Sequence, residues 1–419
     1  MSINKLFNFI NNSPTCFHVV NNIIAELKEN NYSELKESQR FCLKPNQGYY
    51  VTRNDSSIIA FYIPERRCPG FRIVASHSDS PSFKVKKNPE MKVDDYYIKL
   101  NTEPYGGMLV STWLDRPLSI AGRVIISMNG DPVSIPINID KDLLMIPNLA
   151  IHMNRNANDG YKYDMQKDML PLMSCGIEES AFSKMIADAA GVPVDNILGT
   201  DLFVYNRENC RIWGANEEFI SGPRLDDQEC VYASLQGFIA NDTSDRIKVL
   251  AVFDNEEVGS GSFQGAGSTF LYDILSRINL AMDGDAEDFY INIAESFLIS
   301  ADNSHALHPN HTEACDPTNH PLINKGVVLK SAANQKYCTD GVSAAIFTEL
   351  CKTAGVSMQS FFNKSGTPGG STLGNISIGQ VSIRSVDMGL PQLAMHSAYE
   401  TVGVKDYIDA VKLFTCYYE

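Results

Sequence analysis

Apolar and polar positions follow two regimes along the chain. Ser2 to Asn30 has helical periodicity interrupted near Ser13-Pro14, which predicts two helices. Leu43 to Pro64 alternates through Tyr49-Tyr50-Val51 and Ile58-Ile59-Ala60-Phe61-Tyr62, and Phe71 to Ala75 is a further apolar run; all three read as strands. The character changes from about Lys86. Tyr96 to Leu100, Arg123 to Met128 and Val133 to Ile139 read as short strands joined by Asn-Gly, Gly-Gly and Pro turns, and helical periodicity returns only over Ile177 to Ala190.

After Pro223 the pattern becomes α/β. Helices are predicted over Asp227 to Ala240, Ser268 to Ala281, Glu287 to Ala294, Gly341 to Thr353 and Tyr399 to Cys416. Strands are predicted over Lys248 to Phe253, Ser296 to Ser300, Met358 to Asn363 and Gln380 to Asp387. Alternating strands and helices imply an α/β fold, a mixed sheet flanked by helices. Residues 1–87 and 223–419 are expected to form this discontinuous domain, interrupted by a β-rich insertion over 88–222.

A chain of 419 residues exceeds one ordinary domain, and 44% hydrophobic content suffices for a large core. Net charge is −15, from 35 basic and 50 acidic residues, which argues against nucleic acid or anionic membrane as main partners. No apolar run reaches the length of a membrane span, and the first apolar run is too short for a signal peptide. The 10 cysteines include no C-x-x-C pair, so a cytoplasmic protein with reduced thiols is expected.

The chemistry concentrates at strand ends. Lys248 to Ser260 runs from an apolar strand into Asp254, Asn255, Glu256 and Glu257, then into a glycine loop. Unpaired carboxylates at a buried strand end cost several kcal/mol, so a solvated acidic turn and a divalent metal site are the competing readings. His77 and Asp79 follow the Phe71 strand, and Asp302 follows the Ser296 strand. That edge of an α/β sheet is where ligands bind. Asp226 and His396 are further candidates. Five ligands from His, Asp and Glu suit two borderline divalent ions such as zinc, with one carboxylate shared. Such a pair activates water and polarises a carbonyl, while a Glu off the metal moves protons. Singly, each residue has a plainer reading as a structural His or a helix cap.

Three other stretches resemble sites and lack their full pattern. Gly259 to Gly267 has neither the ending of a P-loop nor dinucleotide spacing, and is expected to link strand to helix. His305, His308 and His311 flank Pro309 without an H-E-x-x-H, although His305 follows Asp302 closely enough to line a pocket. Asp283-Gly-Asp285 lacks the later oxygen ligands of a calcium loop.

His77-Ser-Asp79, Arg224-Leu-Asp226, Asp254-Asn-Glu256-Glu257-Val-Gly-Ser, Ser300-Ala-Asp302 and Leu393-Ala-Met-His396-Ser occur in this order. Together they resemble the aspartyl aminopeptidases, the tetrahedral dinuclear metallo-aminopeptidases of metallopeptidase family 18. The resemblance implies that Asp226 bridges two divalent ions, zinc foremost, with cobalt or manganese as alternatives. His77 and Asp302 would complete one site, and Glu257 and His396 the other. Glu256 would be the general acid/base, and Asp79 would orient His77. A cis peptide is implied at Asp226-Asp227, where the family usually has Asn in the second position. The insertion would be a dimerisation domain whose His152 reaches a neighbouring subunit's active site, with dimers built into a dodecameric tetrahedron. Lys330 would meet an acidic substrate side chain, Tyr337 would assist at the carbonyl, and Ser365 to Gly374 would form a loop beside the pocket.

The expected activity is removal of N-terminal Asp or Glu from peptides. The alternatives are a broader aminopeptidase, a dinuclear carboxypeptidase, dipeptidase or N-acyl hydrolase, and a non-enzymatic assembly or nucleotide-binding protein.

Overall fold

The computed structural model describes residues 3–176, 180–240, 244–367 and 369–419. Ser2, the start of the helix expected from Ile177, and Pro368 in the expected pocket loop lie outside them.

A nine-stranded mixed sheet organises the chain. Its centre is four parallel neighbours in the order Ile247–Phe253, Phe71–His77, Phe297–Ala301 and Arg384–Gly389. Strands buried on both faces read as continuous apolar runs, and every residue of Ile247–Phe253 is buried. Alternate side chains enter opposite cores. Val74, Leu250, Val252 and Ile299 pack with the helices Leu225–Ile239 and Val404–Tyr418. Ile73, Val249, Ala251 and Leu298 pack with the helix Phe270–Ala281. Because the central strands are parallel, the residues following Phe253, His77 and Ala301 emerge along one edge.

A second, six-stranded antiparallel sheet has the order Asp131–Asn138, Leu118–Met128, Ile197–Asn206, Ser82–Val93, Tyr97–Tyr105 and Leu172–Cys175. Its own core includes Phe83, Trp113, Leu118, Val124 and Val204. The change of composition near Lys86 falls inside one strand, at a bulge between Val85 and Glu90, so this sheet starts at Ser82. Arg211–Trp213 and Phe219–Gly222 do not join it. They pair in a five-stranded sheet with Glu400–Gly403, Pro391–Leu393 and Ser304–His305, which belong to the other end of the chain.

That sheet also corrects the last helix. Glu400–Gly403 is a strand paired on both sides, so the helix begins at Val404 rather than Tyr399. The strand expected from Gln380 begins at Arg384. Gly374 lies in the short helix Leu373–Ser377 and not in the preceding loop. A Cβ there would sit 2.7 Å from Ser300 Cβ, so only glycine permits that approach.

Candidate active site

Three strand ends, the first turn of the helix Leu225–Ile239 and the turn at His396 bring the expected residues together. His77 closes the strand Phe71–His77 and is 1% exposed. Its Nδ1 lies 3.1 Å from the Asp79 carbonyl and 3.4 Å from Asp79 Oδ1. A ring N–H donated to that carbonyl leaves the Nε2 lone pair free. Nε2 faces Asp226 Oδ1 at 3.5 Å and Asp302 Oδ1 at 3.9 Å.

His396 repeats the device from another segment. Its Nδ1 lies 2.6 Å from the Gly107 carbonyl. Its Nε2 faces Asp226 Oδ2 at 3.6 Å and Glu257 Oε2 at 3.4 Å. Asp226 therefore presents one oxygen to the His77–Asp302 side and the other to the Glu257–His396 side. The peptide between Asp226 and Asp227 is cis.

The acidic turn is built to hold its carboxylates. Asn255 takes a left-handed conformation with φ 62°, which short polar residues tolerate. Its side-chain oxygen accepts from Ser262 Oγ and Gln264 Nε2, at 2.7 and 2.8 Å. Asp79 Oδ1 accepts the Glu256 N–H at 3.1 Å and Oδ2 accepts the Glu257 N–H at 3.2 Å. The Tyr105 hydroxyl, from the six-stranded sheet, also donates to Asp79 Oδ2 at 2.7 Å. The glycine loop after the turn links strand to helix as expected, with the Gly267 N–H donating to the Ser260 carbonyl at 3.1 Å.

Among the described residues, His77, Asp226, Asp227 and Asp302 offer ligand atoms within 4.8 Å of one another; so do His77, Glu256 and Glu257, and Asp226, Glu257 and His396. Asp226 Oδ1, Asp227 Oδ1 and Glu257 Oε1 are buried without a hydrogen-bond donor. In the protein alone, burial and Asp226 push the Glu257 carboxyl well above its ordinary range. Glu256 is pushed up to about 8, by burial first and then by Asp302, Asp79 and Asp226. Burial opposes charge on His77, yet Asp226, Asp302 and Asp79 draw its imidazole upward. Open oxygens and mutual repulsion among buried carboxylates are what a bound cation relieves. A set of two imidazoles and several carboxylates fits zinc.

The remaining expected residues lie differently. Lys330 is 2% exposed, and its ammonium donates to Asp302 O, Asp302 Oδ2 and Asn303 O at 2.8, 3.0 and 3.2 Å. An ammonium has three donors, so none is left for the expected substrate carboxylate. Against burial, Lys330 and His77 hold the Asp302 carboxyl well below the usual range. Tyr337 is buried in a small cluster with Val328 and Phe361, its ring 5.3 Å from Lys330 Nζ. His305 is exposed, its ring 6.0 Å from that of Phe361, yet it flanks the cluster: desolvation and then Lys330 lower its pKa, and Asp226, His396 and Asp302 also act on it. His152 sits exposed in a turn after the Leu118–Met128 and Asp131–Asn138 strands, outside the cluster. His308 and His311 are exposed, with rings 5.1 Å apart, and Asp285 caps the helix Ala286–Ala294.

Glu400 is a residue the sequence reading missed. It is 2% exposed; its Oε2 accepts the Asp226 N–H at 3.0 Å and its Oε1 the His396 N–H at 2.7 Å. One carboxylate thus fixes two backbone segments of the cluster. The available signal was a lone acid in the strand-like run Glu400-Thr401-Val402.

Fold and site together define an α/β protein with a buried His and carboxylate cluster able to hold metal. Known proteins narrow this to a family. The family described as Aminopeptidase I zinc metalloprotease (M18) matches residues 9–418. A Clostridium novyi protein described as a probable M18 family aminopeptidase 2 is 45% identical over 427 residues, covering 99% of this chain and 98% of the relative. A chain in the cryo-EM structure of the Ape4 and Nbr1 complex matches with TM-score 0.95 and 34% identity, over 99% of this chain and 85% of that one. The S. cerevisiae mApe1 dodecamer matches with TM-score 0.86 and 26% identity, over 99% and 95% respectively. The chain belongs to the M18 family of zinc aminopeptidases, metallo-hydrolases that act on peptides. Among the described residues no helix is long and apolar enough to cross a membrane.

Proposed function

We propose that the protein removes N-terminal residues from peptides at a centre for two divalent ions. His77 and Asp302 would hold one ion, Glu257 and His396 the other, and Asp226 would serve both. The observation that carries this is the division of Asp226, with Oδ1 toward His77 and Oδ2 toward His396. When bound, zinc supplies Lewis acidity and a water of pKa near 7.

The chain's own residues do the rest. Glu256 makes none of the close ion-pair contacts of the two imidazoles, although its carboxylate lies within 4.8 Å of the His77 and Glu257 ligand atoms. From there its carboxylate would accept the proton of the attacking water and return it to the leaving amine nitrogen. Asp79 keeps His77 in the right tautomer and fixes the backbone beneath both glutamates.

Asp and Glu remain the preferred N-terminal residues by family resemblance. The commitment of Lys330 to Asp302 favours a second reading, a broader aminopeptidase without a direct ion pair at that residue. We further propose that the six-stranded unit is the dimerisation unit and that dimers assemble as a dodecamer. Likeness to the mApe1 dodecamer supports this, as do Leu149, Ile151 and Met153, which are 53%, 49% and 75% exposed around His152. His152 would then act at a neighbour's site.

The test is hydrolysis of a free-amine peptide beside its N-acetylated form, before and after chelation. Cleavage of the free amine alone, lost on chelation and restored by zinc, is expected. Equal cleavage of the acetylated peptide would establish an acyl hydrolase instead. A panel of Asp-, Glu-, Leu- and Lys-initiated substrates decides between acidic and broad preference.

A further inference from the structure

Three buried acids support or complete the cluster, and their oxygens are used differently. Asp79 engages both oxygens with N–H or O–H donors, and so does Glu400. Those two acids are positioning groups with no oxygen to spare. Asp227 is different. It is 0% exposed, and its Oδ2 accepts the His77 N–H at 3.2 Å. That bond fixes the direction of the carboxylate. The other oxygen, Oδ1, is buried and has no hydrogen-bond donor. The Cys230 thiol also interacts with the Asp227 side chain, but it has a single hydrogen and directs it to Asn303 Oδ1 at 3.2 Å.

A buried carboxylate oxygen left open is costly, so such an atom calls for a cation or a proton. A ligand atom of Asp227 lies within 4.8 Å of those of His77, Asp226 and Asp302. We infer that Asp227 Oδ1 is a further ligand on the His77–Asp302 side of the metal centre. This rests on the two-sided ligand set proposed above. It makes the sides unequal: three carboxylates and one imidazole on the Asp302 side, two carboxylates and one imidazole on the Glu257 side. The oxygen-richer side suits a harder ion, such as manganese, better than its neighbour does.

Asp227→Asn isolates the role. The amide oxygen can still accept the His77 N–H, while the charge and the second carboxylate oxygen are lost. The metal-free variant is titrated with Mn²⁺, free ion being read by electron paramagnetic resonance, beside the unaltered protein and Asp302→Asn. Asp227→Asn is expected to weaken one class of bound Mn²⁺ about tenfold or more, the class that Asp302→Asn also weakens. Mn²⁺ binding unchanged in Asp227→Asn but weakened in Asp302→Asn overturns the inference and leaves the five-ligand set standing. Binding unchanged in both variants overturns the ligand set and this inference with it. Should Asp227→Asn not fold, Asp227→Glu carries the test, since it keeps the charge and displaces the oxygen. The same loss is then expected, and unchanged binding counts against the assignment.

Discussion

Lys330 Nζ donates to the carboxylate and to the main-chain carbonyl of Asp302, at 3.0 and 2.8 Å. The ion pair is buried, with side-chain exposures of 3% and 13%. One residue thereby both neutralises Asp302 and fixes the strand end that carries it. Such a lysine governs every substrate equally, whereas a lysine facing the substrate would govern acidic ones.

Lys330→Met should therefore behave as a structural loss. Removing one partner of a buried pair costs about 3–5 kcal/mol. The unfolding free energy is expected to fall by about that amount. In whatever fraction remains folded, kcat/KM should fall by similar factors for Asp-, Glu- and Leu-initiated peptides. A loss confined to acidic substrates would return Lys330 to substrate recognition.

How Lys330 is used was not legible in its own neighbourhood. Val327-Val328-Leu329-Lys330 reads equally well as a strand ending in solvent. What buries the ammonium is Asp302, brought near because the Val327–Lys330 and Phe297–Ala301 strands both pair with Arg384–Gly389. Glu400 was hidden for the same reason, since its partners are the N–H groups of Asp226 and His396. By contrast, His77, Asp79, Glu256, Glu257 and Asp302 could be found because each follows an apolar run. Parallel pairing of those runs converts position after a strand into position in a site. The limits of the six-stranded sheet were blurred because composition changes inside the strand Ser82–Val93, and local sequence does not reveal which strand is a partner.

Asp79 joins three parts of the molecule: His77, the Glu256–Glu257 backbone and Tyr105 of the six-stranded sheet. Asp79→Asn supplies one acceptor oxygen where the carboxylate supplies two. A loss of about 10–100-fold in kcat/KM and in retained metal is expected. Tyr105→Phe removes one of these bonds and spares the rest, so its loss should be smaller. Stopped kinetics with metal analysis after dialysis checks both. Equal effects from the two variants would show that Asp79 acts mainly through Tyr105.

His18 offers a pH test on a group outside the His/carboxylate cluster. It lies in the first turn of the helix Cys16–Glu29, with Nδ1 2.8 Å from Thr15 Oγ1. Burial first, and then Arg224, lower its pKa from 6.5 to about 4. A helix N-terminus also disfavours a cation. The folded pKa lies below the unfolded one, so the stabilisation is full above about pH 6.5 and is lost as pH falls toward 4. His18→Gln does not titrate there. The unfolding free energy of the unaltered protein should drop relative to this variant by on the order of 2 kcal/mol between pH 7 and 4, allowing for partial exposure. Parallel pH profiles in urea would show no divergence if His18 titrates normally.

Glu256 and Glu257 are adjacent, share Asp79 as backbone anchor, and should nonetheless fail in opposite ways. Glu257 Oε2 faces His396 Nε2 at 3.4 Å, and its Oε1 is buried without a donor, which suits the ligand role proposed for it. Glu256 lies beside the cluster, within 4.8 Å of the His77 and Glu257 ligand atoms, with a carboxyl held near pKa 8 in the protein alone. Glu257→Gln is expected to lose metal from one side on dialysis, and to regain part of its activity when zinc is added in excess. Glu256→Gln should retain its metal content and fold, while kcat falls by about 10²–10⁴ at every zinc concentration, the contribution of a general acid/base. Metal analysis and kcat measured on the same samples separate the two. If Glu256→Gln loses metal and Glu257→Gln keeps it, the two roles are exchanged.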